Sequence, residues 1–456
     1  MVATVTHRSS GSRTSTLPII ARRLLAAGTG ICAGCLAGFL LTDGDLALVV
    51  VAVLCVLVTI GIAGLVLPAD LREVGLPIVL FATLMRMAIA IVLYDGLVAA
   101  GRNGFVTGDD ALYALLSSRL AEIMHGRPAV IDQDLLYLVG TYVHLESWIF
   151  YVVGAKPLAA IFVNAAMGGL LVGLIFDIVC RIFRDSRPAI VAALAVSVYP
   201  SLVLWSALNL KDSLALLLIA IVLWMLVIFH SRRIWWLIPA SFLPVLLMED
   251  LRNYIFVGLA LVIPPSILFA PGGTPRHRLL ASTAAMGITA VLLLYHFGYR
   301  QGIPSPSDFD AQRGAMQFGA NVVFGDQPLI IRSAFVFFAP FPWMVRRMLD
   351  LFPVPEMLLW YLALAGACLA MFRYKRFWRA FAPLLLFCAW TFVIFLLAEG
   401  NVGTLFRHRA MVIPFVIILS APALSVAIQM LGLARRVTRM AGPNPMANGA
   451  VKGAVK

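Results

Sequence analysis

The sequence predicts an all-α polytopic membrane protein, and three observations support this. Hydrophobic residues make up 62% of the chain and charged residues only 12%, whereas a soluble domain carries about a quarter charged residues. Mean hydropathy is +0.96. The apolar residues are grouped into about twelve stretches, most of them near the length that a membrane-spanning helix needs. The net charge of +13 does not indicate a nucleic-acid partner, because the basic residues lie between the apolar stretches.

These stretches define one transmembrane domain over residues 24–431. The predicted spans cover 24–41, 45–67, 76–98, 157–180, 188–208, 213–229, 234–248, 254–270, 279–297, 357–372, 381–398 and 410–431.

The connectors between spans predict the orientation. Arginine and lysine crowd one alternating set of connectors, which includes Arg22-Arg23, Arg232-Arg233 and the stretch from Arg373 to Arg379. Cytoplasmic connectors carry such an excess, so we expect this set and both termini to be cytoplasmic, in an inner or plasma membrane. The tail 1–23 is then cytoplasmic, and so is the basic, partly disordered tail 432–456. The long connectors 99–156 and 298–356 face outward.

The first outer loop contains an acid pair in the stretch Gly108-Asp109-Asp110-Ala111-Leu112-Tyr113. Apolar residues follow near helical spacing, with Ser117 and Arg119 on the opposite face, which predicts an amphipathic helix lying at the membrane surface. Thr107 with Asp110 also fits a helix capping box, so the acid pair has a purely structural alternative. The second outer loop is rich in proline and aromatic residues around 335–343 and is typical of an interfacial segment.

Further charged residues lie at the outer ends of the predicted spans, where they are costly unless used. Each group has a structural alternative: a solvated helix end, a self-neutralising turn or snorkelling cations. Arg86 alone lies inside a span, where a buried ion pair is the simplest explanation. The groups are Lys211-Asp212, Glu249 with Asp250 and Arg252, and Arg407-His408-Arg409.

A site in which carboxylates face arginines, a lysine and a histidine is suited to bind a phosphate group carried by a lipid. Arginine binds phosphate oxygens bidentately, and a carboxylate accepts a proton from an attacking hydroxyl. A divalent cation such as Mg²⁺ or Mn²⁺ is also compatible with oxygen ligands. Which metal, if any, the site holds stays open at this point.

The layout resembles the GT-C superfamily, integral membrane glycosyltransferases that use polyprenyl-phosphate-linked sugars. The 108–113 stretch is similar to the acidic motif in the first outer loop of that family. Tyr199-Pro200-Ser201, running to Trp205 and Lys211-Asp212, is similar to a segment of bacterial exopolysaccharide-type members. The Arg407-His408-Arg409 stretch is similar to their late basic motif.

The resemblance implies an inverting transfer of a sugar from a polyprenyl phosphate to a lipid-linked or glycan acceptor at the outer face, in cell-envelope polysaccharide synthesis. Asp109 or Asp110 would be the general base. Lys211, Arg407, His408 and Arg409 would hold the donor phosphate. Asp212, Glu249, Asp250, Arg252 and Arg86 would support the site.

Two other functions remain open from the sequence. A polysaccharide polymerase or ligase of the O-antigen kind also uses outer arginines and lipid-linked substrates. A secondary transporter would favour charges at the membrane midplane, where Arg86 is the candidate.

Overall fold

The computed structural model describes residues 19–272, 274–302, 304–315, 322–344, 353–375 and 378–440. The expectations for residues 1–18 and 441–456 lie outside this part of the chain. Within it, all regular secondary structure is helical, apart from an isolated bridge between Val323 and Asn401. The prediction of an all-α protein is confirmed.

The helices are divided evenly between the two halves of the chain. The first half contains α1 (Ile19–Asp43), α2 (Leu46–Val66), α3 (Arg72–Ala99), α4 (Gly108–Met124), α5 (Gln133–Val153), α6 (Pro157–Phe183), α7 (Ser186–Val198), α8 (Pro200–Ser206) and α9 (Asp212–Arg232). The second half contains α10 (Leu237–Leu251), α11 (Asn253–Phe269), α12 (Pro275–Tyr295), α13 (Pro306–Ala315), α14 (Leu329–Phe338), α15 (Pro353–Arg373), α16 (Trp378–Ala398), α17 (Val402–Arg409) and α18 (Ile413–Met440).

Helices cover all of the predicted spans, but they do not all have the length of a span. Among the described residues, nine helices are long and apolar enough to cross a membrane, or ten if the bent pair α7–α8 counts as one span. The predicted count of about twelve spans therefore exceeds the number of helices with the length of a span. The difference is α10 and α11, which have only 15 and 17 residues, whereas a full crossing needs about 20. These two helices form an antiparallel hairpin, so the alternation of the other spans is unaffected. Helices also continue into the expected tails, since α1 begins at Ile19 and α18 ends at Met440.

The centre of the bundle is formed by α6 and α9. In each of them 83% of the most apolar stretch is buried, against 11% in α1. α6 contacts α2, α3, α7 and α9, and α9 runs antiparallel to α10. The centre is therefore shielded from lipid, whereas α1 lies at the periphery.

The break between α7 and α8 explains the buried Arg86. Pro200 has no N–H, so the carbonyl of Val196 lacks its helical partner, and the Ser201 N–H donates to Glu356 (2.9 Å) instead of to Ser197. Arg86 on α3 donates to both orphaned carbonyls, of Val196 and Ser197, at 3.0 Å each. Arg86 therefore makes these two carbonyl hydrogen bonds instead of the ion pair that we expected. In this way it joins α3 to the break between α7 and α8.

The first outer loop forms two helices that pack on each other, α4 and α5. Leu115 is exposed, as expected for a helix at a membrane surface, but Ser117 is buried against α5 instead of facing water. The predicted helix is therefore present, but a different face is turned inward from the one that we expected.

Candidate active site

Asp110 caps α4 through both of its carboxylate oxygens. Oδ1 accepts hydrogen bonds from the N–H groups of Thr107 (2.9 Å) and Ala111 (3.0 Å), and Oδ2 accepts from the N–H of Val106 at 2.7 Å. The Thr107 hydroxyl accepts from the Asp110 N–H, which completes a capping box. The Asp110 side chain is buried and is used within the first turn of its own helix.

The Asp109 carboxylate extends towards Arg407, which lies near the beginning of α18. Its Oδ2 lies 2.8 Å from Nη1 of Arg407, and the Asp109 side chain is 53% exposed. Arg407 lies on α17, so this ion pair joins the beginning of the first outer loop to the late basic stretch. About half of the Asp109 side chain therefore remains exposed to solvent.

Asp212 bridges two arginines at the beginning of α9. Its Oδ2 accepts from Nε (3.0 Å) and Nη2 (2.6 Å) of Arg407, and its Oδ1 pairs with Nη2 of Arg252. Asp212 is buried, and a buried carboxylate is tolerated only when cations and hydrogen bonds surround it. The Arg407 guanidinium also lies 5.7 Å from the ring centroid of Trp205, which adds a cation–π contact.

His408 is held in one tautomer by the groups on either side. Nη1 of Arg252 lies 2.7 Å from its Nε2, and a guanidinium can only donate, so Nε2 carries the lone pair. Nδ1 therefore carries the proton and donates it to Glu399. The other oxygen of Glu399 accepts from the Thr404 hydroxyl at 3.0 Å. In this arrangement His408 is neutral.

Lys211 immediately precedes Asp212, outside the span that begins there. Burial lowers the pKa of the Lys211 amine to about 8, and the charges of Arg252 and Arg407 act in the same direction, whereas Asp212 and Asp109 oppose them. Lys211 is therefore a cation at neutral pH that loses its proton more easily than an ordinary lysine.

The charges in this group balance. We call it the outer charged cluster, and its members are the carboxylates of Asp109, Asp212 and Glu399, the cations Lys211, Arg252 and Arg407, and neutral His408. Since each arginine is already paired with a carboxylate, an incoming phosphate competes for their donors or displaces a carboxylate.

The remaining predicted residues lie outside this cluster or at its edge. Glu249 pairs with His296 (3.0 Å), and Asp250 accepts from the Thr141 hydroxyl (3.3 Å), so both secure the turn that carries Arg252. Arg409 is fully buried and donates to the carbonyl of Val336 at 3.0 Å. The structure does not bring Arg409 or Arg86 to the cluster.

A buried network under the cluster was not predicted from the sequence. Glu146 on α5 accepts from the Asn209 amide (2.7 Å) and from the Ser117 hydroxyl (2.9 Å). The same amide of Asn209 donates to the backbone carbonyl of Asp110 at 3.2 Å, and the side-chain oxygen of Asn209 accepts from Tyr142 at 2.9 Å. The network ties α4, which carries Asp109, to the loop before Lys211-Asp212. A lone acid in the apolar stretch of α5 was the available signal.

The acids of the cluster do not form a three-ligand metal site in the described part of the chain. Asp109 and Asp212 are both bound to Arg407, so their nearest charged neighbour is a guanidinium. Glu399 is bound to His408 and Thr404. As arranged, these residues do not fit a protein-held divalent ion.

Comparison with known proteins gives one family match, over part of the chain. Residues 142–297 match the family model of dolichyl-phosphate-mannose-protein mannosyltransferase. This region contains Lys211, Asp212 and Arg252, but neither Asp109 nor Arg407. No curated protein sequence matches the chain significantly.

A solved structure has a similar fold. The oligosaccharyltransferase of Archaeoglobus fulgidus, in its apo form, superposes with a TM-score of 0.51 at 17% sequence identity. The match covers 82% of this chain and 52% of the archaeal chain, so this chain spans about half the length of that protein. This likeness shows a similar fold, and the family model, which matches about a third of the chain, supports the resemblance to GT-C membrane glycosyltransferases.

Proposed function

We propose that this protein transfers a sugar from a polyprenyl-phosphate donor to a hydroxyl of a lipid-linked or glycan acceptor, with inversion at the sugar. The observation that carries the proposal is the half-exposed Asp109 carboxylate beside Arg407, next to a second arginine and a lysine. These groups lie where several long apolar helices begin or end, which is where the phosphate of a membrane lipid is located.

Asp109 is the general base in this proposal. An acceptor hydroxyl needs a carboxylate that it can reach, and Asp109 is exposed whereas Asp110 is enclosed in its capping box. Asp110 contributes by fixing the first turn of α4, and with it the position of Asp109. The two acids of the sequence motif thus take different roles.

Lys211, Arg407 and Arg252 receive the donor phosphate, and His408, whose Nδ1–H is used by Glu399, orients Arg252 through Nε2. Arg407 moves from Asp109 to a phosphate oxygen, which frees Asp109 to accept a proton. Arg252 has Asp212 and His408 as partners, so its position depends on the remaining cluster. We propose a supporting role for Arg409, which anchors α17 to the backbone of α14 through Val336.

The bonds and charges of the transfer balance. The acceptor oxygen forms a bond to the anomeric carbon, the bond between that carbon and the phosphate oxygen breaks, and the acceptor proton passes to Asp109. The departing phosphate gains one negative charge while Asp109 loses one, so the cluster becomes more positive as the leaving group becomes more negative. Fixed cations that face a developing charge are an effective source of catalysis.

We further propose that the cluster faces the outside of an inner or plasma membrane and that both termini are cytoplasmic, because the basic connectors lie at the other ends of the helices.

The sequence resemblance supports a cell-envelope polysaccharide as the product. The proposed steps use no metal ion, because the carboxylates of the cluster are bound to arginines and a histidine. Measuring transfer with and without EDTA tests whether Mg²⁺ or Mn²⁺ is needed.

The donor class can be tested without knowing the sugar. In cells whose own copy carries Asp109→Asn, the unused donor should accumulate, so mass spectrometry of lipid extracts should show one polyprenyl-phosphate sugar increased over wild type. Arg276→Gln, at the opposite end of the molecule, is the control. Unchanged polyprenyl-phosphate sugars in the Asp109→Asn cells would contradict the proposed donor.

A further inference from the structure

A second polar pocket lies at the opposite ends of the helices that form the outer charged cluster. α9 begins at Asp212 in the cluster and ends at Arg232 after 21 residues, a length of about 30 Å. The pocket is found beside the end of α9, beside the end of α6 and beside the beginning of α16. It is therefore separated from the cluster by about the thickness of the hydrocarbon layer.

The pocket combines cationic and apolar walls. Its volume is about 420 Å³, and it is lined by Arg181, Arg184, His230 and Ser231, with Phe183 and Phe381 among its apolar walls. Arg184 ends α6 in a left-handed conformation with φ 54°. A site with this mixture suits a ligand that has an anionic head and an apolar body.

Arg181 is fixed in position but not fully used. Its Nε pairs with the buried Asp177, which also accepts a hydrogen bond from the Trp224 indole at 2.7 Å. The two Nη groups of Arg181 are not part of this pair. An arginine whose Nε is held by a buried carboxylate is oriented in advance to bind phosphate oxygens through its Nη groups.

His230 has a buried nitrogen without a partner. Its Nε2 lies 2.8 Å from the carbonyl of Ser266, so Nε2 carries the proton and Nδ1 carries the lone pair. Nδ1 is buried and, among the described residues, has no hydrogen-bond partner. Such an unpaired atom is costly, and a small turn of the His230 ring, which lines the pocket, would bring it to a hydroxyl on a bound head group.

We propose that this pocket binds the head group of an anionic phospholipid in the leaflet opposite the outer charged cluster. The phosphate contacts Arg181 and Arg184, and a head-group hydroxyl donates to Nδ1 of His230. Basic pockets between membrane helices on the cytoplasmic side are suited to such head groups. A lipid is favoured over free phosphate because the pocket also has apolar walls, including Phe183 and Phe381.

Native mass spectrometry of the full chain in detergent tests the proposal. Phosphatidylglycerol, which has a phosphate and hydroxyls, is titrated against phosphatidylcholine, with inorganic phosphate as a competitor. Arg184→Gln removes one phosphate contact but leaves the Arg181–Asp177 pair intact. Ala380→Trp fills the pocket at a lining residue without removing a charge. Arg276→Gln, an exposed arginine at the same end of the molecule, is the matched control.

Wild type and Arg276→Gln should bind one phosphatidylglycerol in preference to phosphatidylcholine. Arg184→Gln should weaken that binding about fivefold, the effect of one basic residue at a membrane surface, and Ala380→Trp should abolish the preference. If Ala380→Trp does not fold, Arg184→Gln against Arg276→Gln decides. Binding to Arg184→Gln as tight as to wild type would overturn the proposal. Displacement of the lipid by equimolar inorganic phosphate would assign the pocket to free phosphate and would overturn the proposal of a lipid ligand.

Discussion

Asp109 and Asp110 are neighbours in the sequence, yet they have opposite surroundings. From the sequence, the pair was compatible both with a general base and with a capping box. The structure accommodates both, because Asp110 accepts bonds from three backbone N–H groups while Asp109 pairs with Arg407. Residue spacing cannot make this distinction, since it depends on which side of the first helical turn faces the rest of the protein.

The Lys211 amine gives the cluster a pH dependence. Its pKa of about 8 means that the cation is present at pH 7 and is lost as the pH rises through 8. If Lys211 holds the donor phosphate, the KM for the donor should rise above pH 8, by up to about tenfold per pH unit, since the charged fraction falls by that factor.

Lys211→Arg should remove this rise, because arginine remains charged across the range. Steady-state kinetics between pH 6.5 and 9.5 in both proteins measures the difference. The same pH profile in wild type and Lys211→Arg would remove Lys211 from the phosphate site.

At the scale of helices, the sequence predicted which helix carries a polar residue better than it predicted the hydrogen-bond partners of that residue. Arg86 was correctly placed inside α3, but its acceptors are carbonyls 110 and 111 residues away. Those carbonyls are free because Pro200 breaks the helix, and the sequence does not reveal which helix packs against that break. Glu146 was missed for the same reason, since its partners Ser117 and Asn209 come from different segments.

Glu146 should act by positioning α4 and the loop before α9, not through its charge. Burial raises the pKa of Glu146 to about 7, so its neutral form is readily reached near neutral pH. Glu146→Gln can still accept from Asn209 and can donate to the Ser117 hydroxyl, so it should retain most transfer activity. Glu146→Leu removes one acceptor from each partner and leaves only the longer bonds of Asn209 to the Asp110 carbonyl (3.2 Å) and of Ser117 to the Val143 carbonyl (3.3 Å). It should therefore lose activity and thermal stability together, by about 1–3 kcal/mol.

Transfer rates and melting temperatures of the two Glu146 variants provide the check. A Gln variant that folds normally but is as inactive as the Leu variant would mean that the carboxylate itself takes part in the reaction.

For the whole molecule, apolar length predicted the helices but could not distinguish complete spans from shorter ones. α10 runs back along α9 in 15 residues and α11 reverses direction again in 17, and hydropathy alone does not separate such helices from full spans. The fold class was predictable because composition and hydropathy extend over the whole chain. The cluster was predictable only in part, because its pairs join residues 195 and 298 positions apart.

The orientation can be tested with single cysteines in a cysteine-free background. Cysteines replacing Ser118 and Ser307 should react with an impermeant thiol reagent in intact cells, because both loops are expected outside. A cysteine replacing Arg276 should react only after the membrane is opened. Labelling of Arg276→Cys in intact cells, with protection of the other two, would invert the topology.

The most direct test of the proposed mechanism compares Asp109→Asn with Asp110→Asn in transfer from the accumulated polyprenyl-phosphate sugar, with melting temperatures measured in parallel. Asp109→Asn should fold like wild type, since one exposed ion pair contributes little stability. It should lose transfer about 10²-fold or more, as expected for a missing general base. Asp110→Asn should instead lose about 1–3 kcal/mol of stability, because an amide N–H₂ cannot accept bonds from all the capping N–H groups, while its folded fraction retains transfer. Full activity in Asp109→Asn, or a stable but inactive Asp110→Asn, would contradict the assignment of Asp109 as the base.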